Sequence, residues 1–237
     1  METYKQFLDR INSFEKAPVD FGSVYFTGSP SIANKVNADN TYKDFYGDTV
    51  VFDLDEVTKT KLTEYADFLH KAAPQCFCDR LVPNTFHVTL HDLSNSPTLQ
   101  SVAEELFFNE LKITEKLCEI KKLSNKKITL KSNAVFNMVN TSLVLGLYPV
   151  DEDNYNRLME LYYVIDSVKR LSYPLTPHIT LGYYNVNGFD TNCAKLLKTA
   201  VEKLNAVMNL DVSVGDLYYQ KFTSMNNYVN IIKLNSK

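Results

Sequence analysis

Two tetrapeptides constrain this chain more than any other feature, "HVTL" at 87 to 90 and "HITL" at 178 to 181. Each closes the same local order of residues. An apolar, β-branched run ("TVVFDLD", 49 to 55), a segment of helical apolar spacing ("EVTKTKLTEYADFLHKA", 56 to 72) and a proline-bearing loop lead to the first. "TSLVLGLYPV", a helical stretch after Asp151 and "YPLTP" lead to the second. Val50 and His87 are 37 positions apart, and Leu143 and His178 are 35 apart. A strand, a helix and a second strand recurring at one offset predict two related lobes rather than a solenoid array.

The rest of the chain fits around this duplication. Residues 2 to 16 place Tyr4, Phe7, Leu8, Ile11 and Phe14 at helical spacing, which predicts an opening amphipathic helix. The polar, turn-rich passage from 27 to 48 exceeds an ordinary connection and is either functional or a packed excursion. A long helix is expected over 99 to 122, then two strands turning near Asn140. The helix after Asp151, whose acidic first turn suits the helix dipole, should reach about Arg170. A helix near 190 to 207 and strands at roughly 210 to 221 and 227 to 234 complete the pattern.

Side chains alternate across a strand, so His87 and Thr89 share one face, as do His178 and Thr180. With the lobes facing inward, two imidazoles and two hydroxyls converge on one cleft. That set suits phosphodiester chemistry: one imidazole takes a proton from the attacking oxygen and the other gives one to the departing oxygen, both roles lying within reach of a pKa near 6.5. The hydroxyls donate to the non-bridging phosphate oxygens. Neither a P-loop nor a metal-binding spacing is present in the sequence, so no metal or other cofactor is called for.

Composition narrows the partners. A net charge of −3 and a pI of about 5.8 argue against a broad grip on long DNA or RNA, so any nucleotide or RNA substrate should be small or short, or held locally. No run approaches the roughly eighteen apolar residues of a membrane helix, and the charged start "METYKQFLDR" lacks a signal segment. A cytoplasmic monomer is expected. Cys76, Cys78, Cys118 and Cys193 show neither disulfide-framework nor zinc spacing.

The paired tetrapeptides resemble the two H-x-T/S-apolar motifs of the 2H phosphoesterase superfamily, also called the LigT-like or cyclic phosphodiesterase-like fold, over about residues 47 to 235. The resemblance implies an α+β, bilobal, duplicated fold in which two antiparallel sheets flank a central groove with helices outside. It implies a metal-independent phosphodiesterase acting on 2′,3′-cyclic or cyclic oligonucleotide, 2′-5′-linked or RNA-end phosphodiesters. His87 and His178 become the catalytic acid–base pair, in either order, and Thr89 and Thr180 the phosphate ligands. A noncatalytic nucleotide- or RNA-binding module and an RNA-ligase-type transferase are the alternatives. The expected organisation is an extension at 1–46 packed on a single bilobal domain at 47–237, with lobes at about 47–98 and 127–184 completed by 99–126 and 185–237.

Secondary candidates for substrate contact are His91, Tyr184 and Tyr218. On regular strands His91 would share the face of His87, and Tyr184 that of His178, while one of Tyr218 and Tyr219 must face inward. His70, near a helix C-terminus, reads as a cation that complements the helix dipole.

Overall fold

In the computed structural model, which describes residues 2–16, 21, 25–123 and 126–234, the strands divide between two antiparallel four-stranded sheets. Strands β1 (Tyr46–Asp53), β2 (His87–Ser96), β7 (Leu217–Ser224) and β8 (Asn227–Lys233) form one, in the order β2-β1-β7-β8. Strands β3 (Ile128–Met138), β4 (Ser142–Pro149), β5 (His178–Tyr183) and β6 (Asn209–Val212) form the other, in the order β5-β4-β3-β6. The helices are α1 (Tyr4–Lys16), α2 (Glu56–Ala72), α3 (Leu99–Ile120), α4 (Glu152–Asp166) and α5 (Thr191–Lys203). The fold is the α+β, two-sheet arrangement expected from the sequence.

The duplication is visible in the connectivity. Both β1–α2–β2 and β4–α4–β5 run strand, helix, antiparallel neighbour, and both connecting helices start on an aspartate cap. Asp55 accepts from Thr58 N at 2.7 Å and Asp151 from Asn154 N at 2.8 Å, satisfying N–H groups the helix itself leaves unpaired. Each histidine strand is an edge strand, and β2 and β5 touch. The groove therefore forms where the two sheets meet edge to edge.

Two segments depart from the sequence reading. The expected strand over 210 to 221 is two strands in different sheets, because Ser213 and Asp216 close a capping box around a short 3₁₀ turn that carries the chain from β6 across to β7. The helix expected to reach Arg170 stops at Asp166, whose carboxylate accepts from Leu171 N at 3.1 Å and so turns the chain.

The opening helix packs on the second sheet, burying Phe7 and Ile11, and Asn133 Nδ2 donates to Ile11 O at 3.1 Å. The passage after it is a packed excursion: Ile32 and Val36 are buried, Val36 bridges to Tyr42, and Phe45 N donates to Thr223 O at 2.9 Å. It joins β1 at Gly47, where a Cβ would lie 2.2 Å from the Phe222 ring and 2.5 Å from Ser94 O, so no larger residue fits.

His70 is not the surface cation the sequence suggested. It stacks on Phe77 at 4.4 Å, its Nε2 is buried without a partner, and burial pushes its pKa down to about 4. Near neutrality it is an uncharged core ring and does not interact with the helix dipole as a charge.

Candidate active site

His87 opens β2 opposite Asp53, and His178 opens β5 opposite Gly146. Two residues on, Thr89 and Thr180 project to the same sides. All four side chains, from two edge strands of two sheets, line one cavity of about 150 Å³, together with Lys35, Asp92, Tyr183 and Tyr228. The convergence expected from the sequence is present.

The His178 imidazole is held by its own approach segment. Nδ1 of His178 lies 2.7 Å from Thr176 O. A carbonyl only accepts, so Nδ1 carries the proton and the neutral ring keeps its lone pair on Nε2. Thr176 is itself held: Arg10 Nη1 donates to its Oγ1 at 2.9 Å, and Nη2 donates to Leu175 O at 2.8 Å. The equivalent carbonyl beside His87 is Thr85 O, which favours the charged ring, yet Nδ1 of His87 is buried without a full hydrogen bond. Tyr228 stands edge-on to His87 at 5.0 Å.

Burial dominates the electrostatics. It pushes the His87 pKa down to about 4, the neighbouring His178 adds to that, and Asp92, Asp53 and the Thr85 carbonyl oppose it. Burial also lowers His178, against the Thr176 carbonyl and Asp92. Both rings are therefore neutral near pH 7. An anion between them supplies the missing counter-charge, so one imidazole can protonate when a phosphate is bound.

Regular strands would have put His91 and Tyr184 in the groove, and two bulges remove them. In β2, Thr89 pairs with Val51 and His91 with Val50, leaving Leu90 unpaired. In β5, Thr180 pairs with Val144 and Gly182 with Leu143, leaving Leu181 unpaired. Each extra residue reverses the alternation beyond it. Asp92 and Tyr183 face the cavity instead.

His91 is outside the cavity of the two histidines and at the wall of a larger neighbouring hollow, its side chain covered, with Nε2 3.1 Å from Asp166 Oδ1 and Nδ1 2.5 Å from Asp92 O. Tyr184 is wholly buried among Phe21, Phe26, Phe77 and Phe189. Tyr218 pairs with Val51, the residue opposite Thr89, so it shares the face of that threonine. It stands two strands away, outside the cavity lining, beneath Lys233 at 5.4 Å.

Sequence reasoning missed Lys35, Asp92, Tyr183 and Tyr228. Asp92 and Tyr183 depend on the bulges, and Tyr228 on the pairing of a distant hairpin. For Lys35 the only sequence signal was the unusual length of the passage that carries it.

No family model matches the chain, and no curated protein matches it. Among solved structures, the conserved protein of unknown function ATU0111 from Agrobacterium tumefaciens superposes with a TM-score of 0.67 at 13% identity, over 88% of this chain and 94% of that one. The chain has that protein's fold. Also found is E. coli LigT complexed with 3′-AMP, at TM-score 0.49 and 11% identity over 80% of this chain and 97% of LigT. TT0787 of Thermus thermophilus aligns at TM-score 0.49 and 12% identity, over 78% and 95%.

The groove has a larger neighbour. A second hollow of about 740 Å³, walled in part by Phe14, Phe136, Met138, Tyr173 and Leu175, opens beside it. Lys35, Thr89, Asp92, His178 and Tyr183 border both spaces and mark their junction.

Proposed function

We propose that the protein is a 2H-type phosphodiesterase that hydrolyses a cyclic or 2′-5′-linked nucleotide, or an RNA-end phosphodiester, without a metal. The observation that carries this reading is the meeting of His87, Thr89, His178 and Thr180 around one cavity. The phosphate sits between the imidazoles. One, neutral, takes a proton from water as the water oxygen bonds to phosphorus. The other, protonated by virtue of the bound anion, gives its proton to the ester oxygen as that P–O bond breaks. The products are a phosphate monoester and a free hydroxyl, and each histidine is left in the other's starting state. Thr89 and Thr180 donate to the non-bridging oxygens, where charge accumulates. The neighbouring hollow lies within the size range of small-ligand pockets and takes the nucleoside.

The test is turnover of 2′,3′-cyclic nucleotides, cyclic dinucleotides and 2′-5′ oligoadenylates in the presence of a chelator, by the wild type and by His87→Ala and His178→Ala. Chelator-insensitive hydrolysis that falls by about 100-fold or more in each folded variant is expected. Hydrolysis abolished by chelator, or untouched by either substitution, overturns the reading.

A further inference from the structure

Among the described residues, Lys35 stands in the groove with no ionic partner. It is half-buried, and no described residue forms a hydrogen bond or ion pair with its ammonium. Its ammonium lies over the faces of Phe45 and Tyr183, 5.3 Å and 5.4 Å from the ring centroids, and both rings line the cavity of the two histidines. Aromatic faces attract a cation but do not replace its water, so a desolvated ammonium held this way is short of an anion. Burial lowers its pKa, and the Asp92 charge on the same cavity opposes that only in part.

The backbone around Lys35 is fixed. Its N–H donates to Ile32 O at 2.9 Å, its carbonyl accepts from Lys43 N at 2.9 Å, and Ile32 and Val36 anchor the turn in the core. A long side chain whose stem is held and whose head is unpaired has the design of a binding group rather than of a surface charge.

We infer that Lys35 is a catalytic residue that binds a non-bridging oxygen of the phosphate and stabilises the charge of the five-coordinate transition state. This rests on the phosphodiesterase reading of the groove and extends it. The passage before β1 then completes the site, adding a cation to the two threonine hydroxyls. No hydroxyl can supply that charge. The position of Lys35 at the junction of the two hollows places the ammonium beside the phosphate and leaves the larger space for the rest of the substrate.

The experiment uses the full chain and inorganic phosphate as probe. Affinity is measured by calorimetry for the wild type, Lys35→Met, Lys35→Arg and the His87→Ala/His178→Ala double variant. Binding about tenfold weaker or more in Lys35→Met, with Lys35→Arg closer to the wild type, is expected, and loss of turnover in Lys35→Met should be about 100-fold. Reductive ¹³C-methylation gives a second readout that a structural role would not move. The Lys35 resonance, assigned by its loss in Lys35→Arg, should titrate below the surface lysines and move upward on adding phosphate. The groups facing it in that titration are Asp92, His87, His178 and Tyr183. Phosphate affinity and resonance unchanged by Lys35→Met and by phosphate, respectively, overturn the inference while the groove reading stands. If the wild type binds no phosphate and turns over no diester, both fall together.

Discussion

Leu90 and Leu181, the closing residues of the two tetrapeptides, occupy equivalent places in their sheets: each is the unpaired residue at which an edge strand slips register against its neighbour. The duplication therefore extends to an irregularity, and the irregularity has a use. A bulge re-aims the side chains beyond it. In the first sheet it brings Asp92 to the histidines, where its charge favours protonation of both rings. In Asp92→Asn the titration midpoints of His87 and His178 should both fall, as read from the imidazole Cε1 protons by NMR. Midpoints that stay in place would show that the carboxylate is too well solvated to matter.

The hydroxyl donors should act on turnover more than on fold. Thr89→Val and Thr180→Val keep the β-branched shape and remove one donor each. Because the lost bond strengthens as charge develops on the non-bridging oxygens, kcat should drop about 100-fold with a smaller change in KM. Equal losses in both variants would match the pseudo-symmetry. A rise in KM alone would assign the threonines to ground-state binding.

Arg10 links the opening helix to the second histidine. Its guanidinium bonds Thr176 Oγ1 and Leu175 O, and Thr176 O receives Nδ1–H of His178. Arg10→Met leaves the part-buried Leu175 carbonyl short of a donor and Glu2 without its ion pair, a loss of about 1 kcal/mol in stability. As a positioning residue it should also lower kcat and shift the His178 titration while leaving that of His87 alone. An unchanged His178 titration would reduce Arg10 to a surface brace.

Local signals explain what the sequence made legible. Helix α2 spans the expected residues because its start, the Asp55 cap, and its end, Ala73 before Pro74, are written in adjacent residues. His87, Thr89, His178 and Thr180 were legible because the motif is short, lies on strands and occurs twice. The β6–β7 break depended on a capping box within an otherwise strand-like run. The departures at His91 and Tyr184 share one cause: strict alternation holds only while register does, and nothing in "HVTLHD" marks the slip, whereas in "HITLGYY" the one cue is Gly182 inside the strand. Lys35 and Tyr228 reach the groove through tertiary docking of a loop and a hairpin, information that no local window carries.

Gly47 is a point where backbone and ring leave no room. A Cβ there meets Ser94 O as well as the Phe222 ring, and the carbonyl cannot turn aside as a side chain could. Gly47→Ala should cost about 1–3 kcal/mol in a denaturant titration, as overpacking does. Gly28→Ala, whose Cβ would find its nearest neighbours at 3.4 Å, serves as the tolerated control. Equal midpoints for the two variants would show that the sheet shifts to accept the methyl group.

Acid should act on the fold through buried neutral histidines. For His70 the folded-state pKa is about 4, below the ordinary value of 6.5. Between those values the unfolded chain takes up a proton that the folded chain refuses, so stability is intact above about pH 6.5 and declines as the pH falls toward 4. A depression of that size corresponds to about 3 kcal/mol once the pH is below both values. His87 is lowered to about 4 as well, but its ring is only partly buried and faces the groove, where solvent access softens the penalty. His70→Leu removes the titrating group together with its unpaired Nε2. Thermal unfolding at pH 7 and pH 5 should therefore show a smaller drop in Tm for His70→Leu than for the wild type. In His87→Ala the drop should shrink less, and added phosphate should reduce the wild-type drop by holding His87 in its charged form. If wild type and His70→Leu lose the same Tm over that interval, His70 does not contribute to the acid sensitivity.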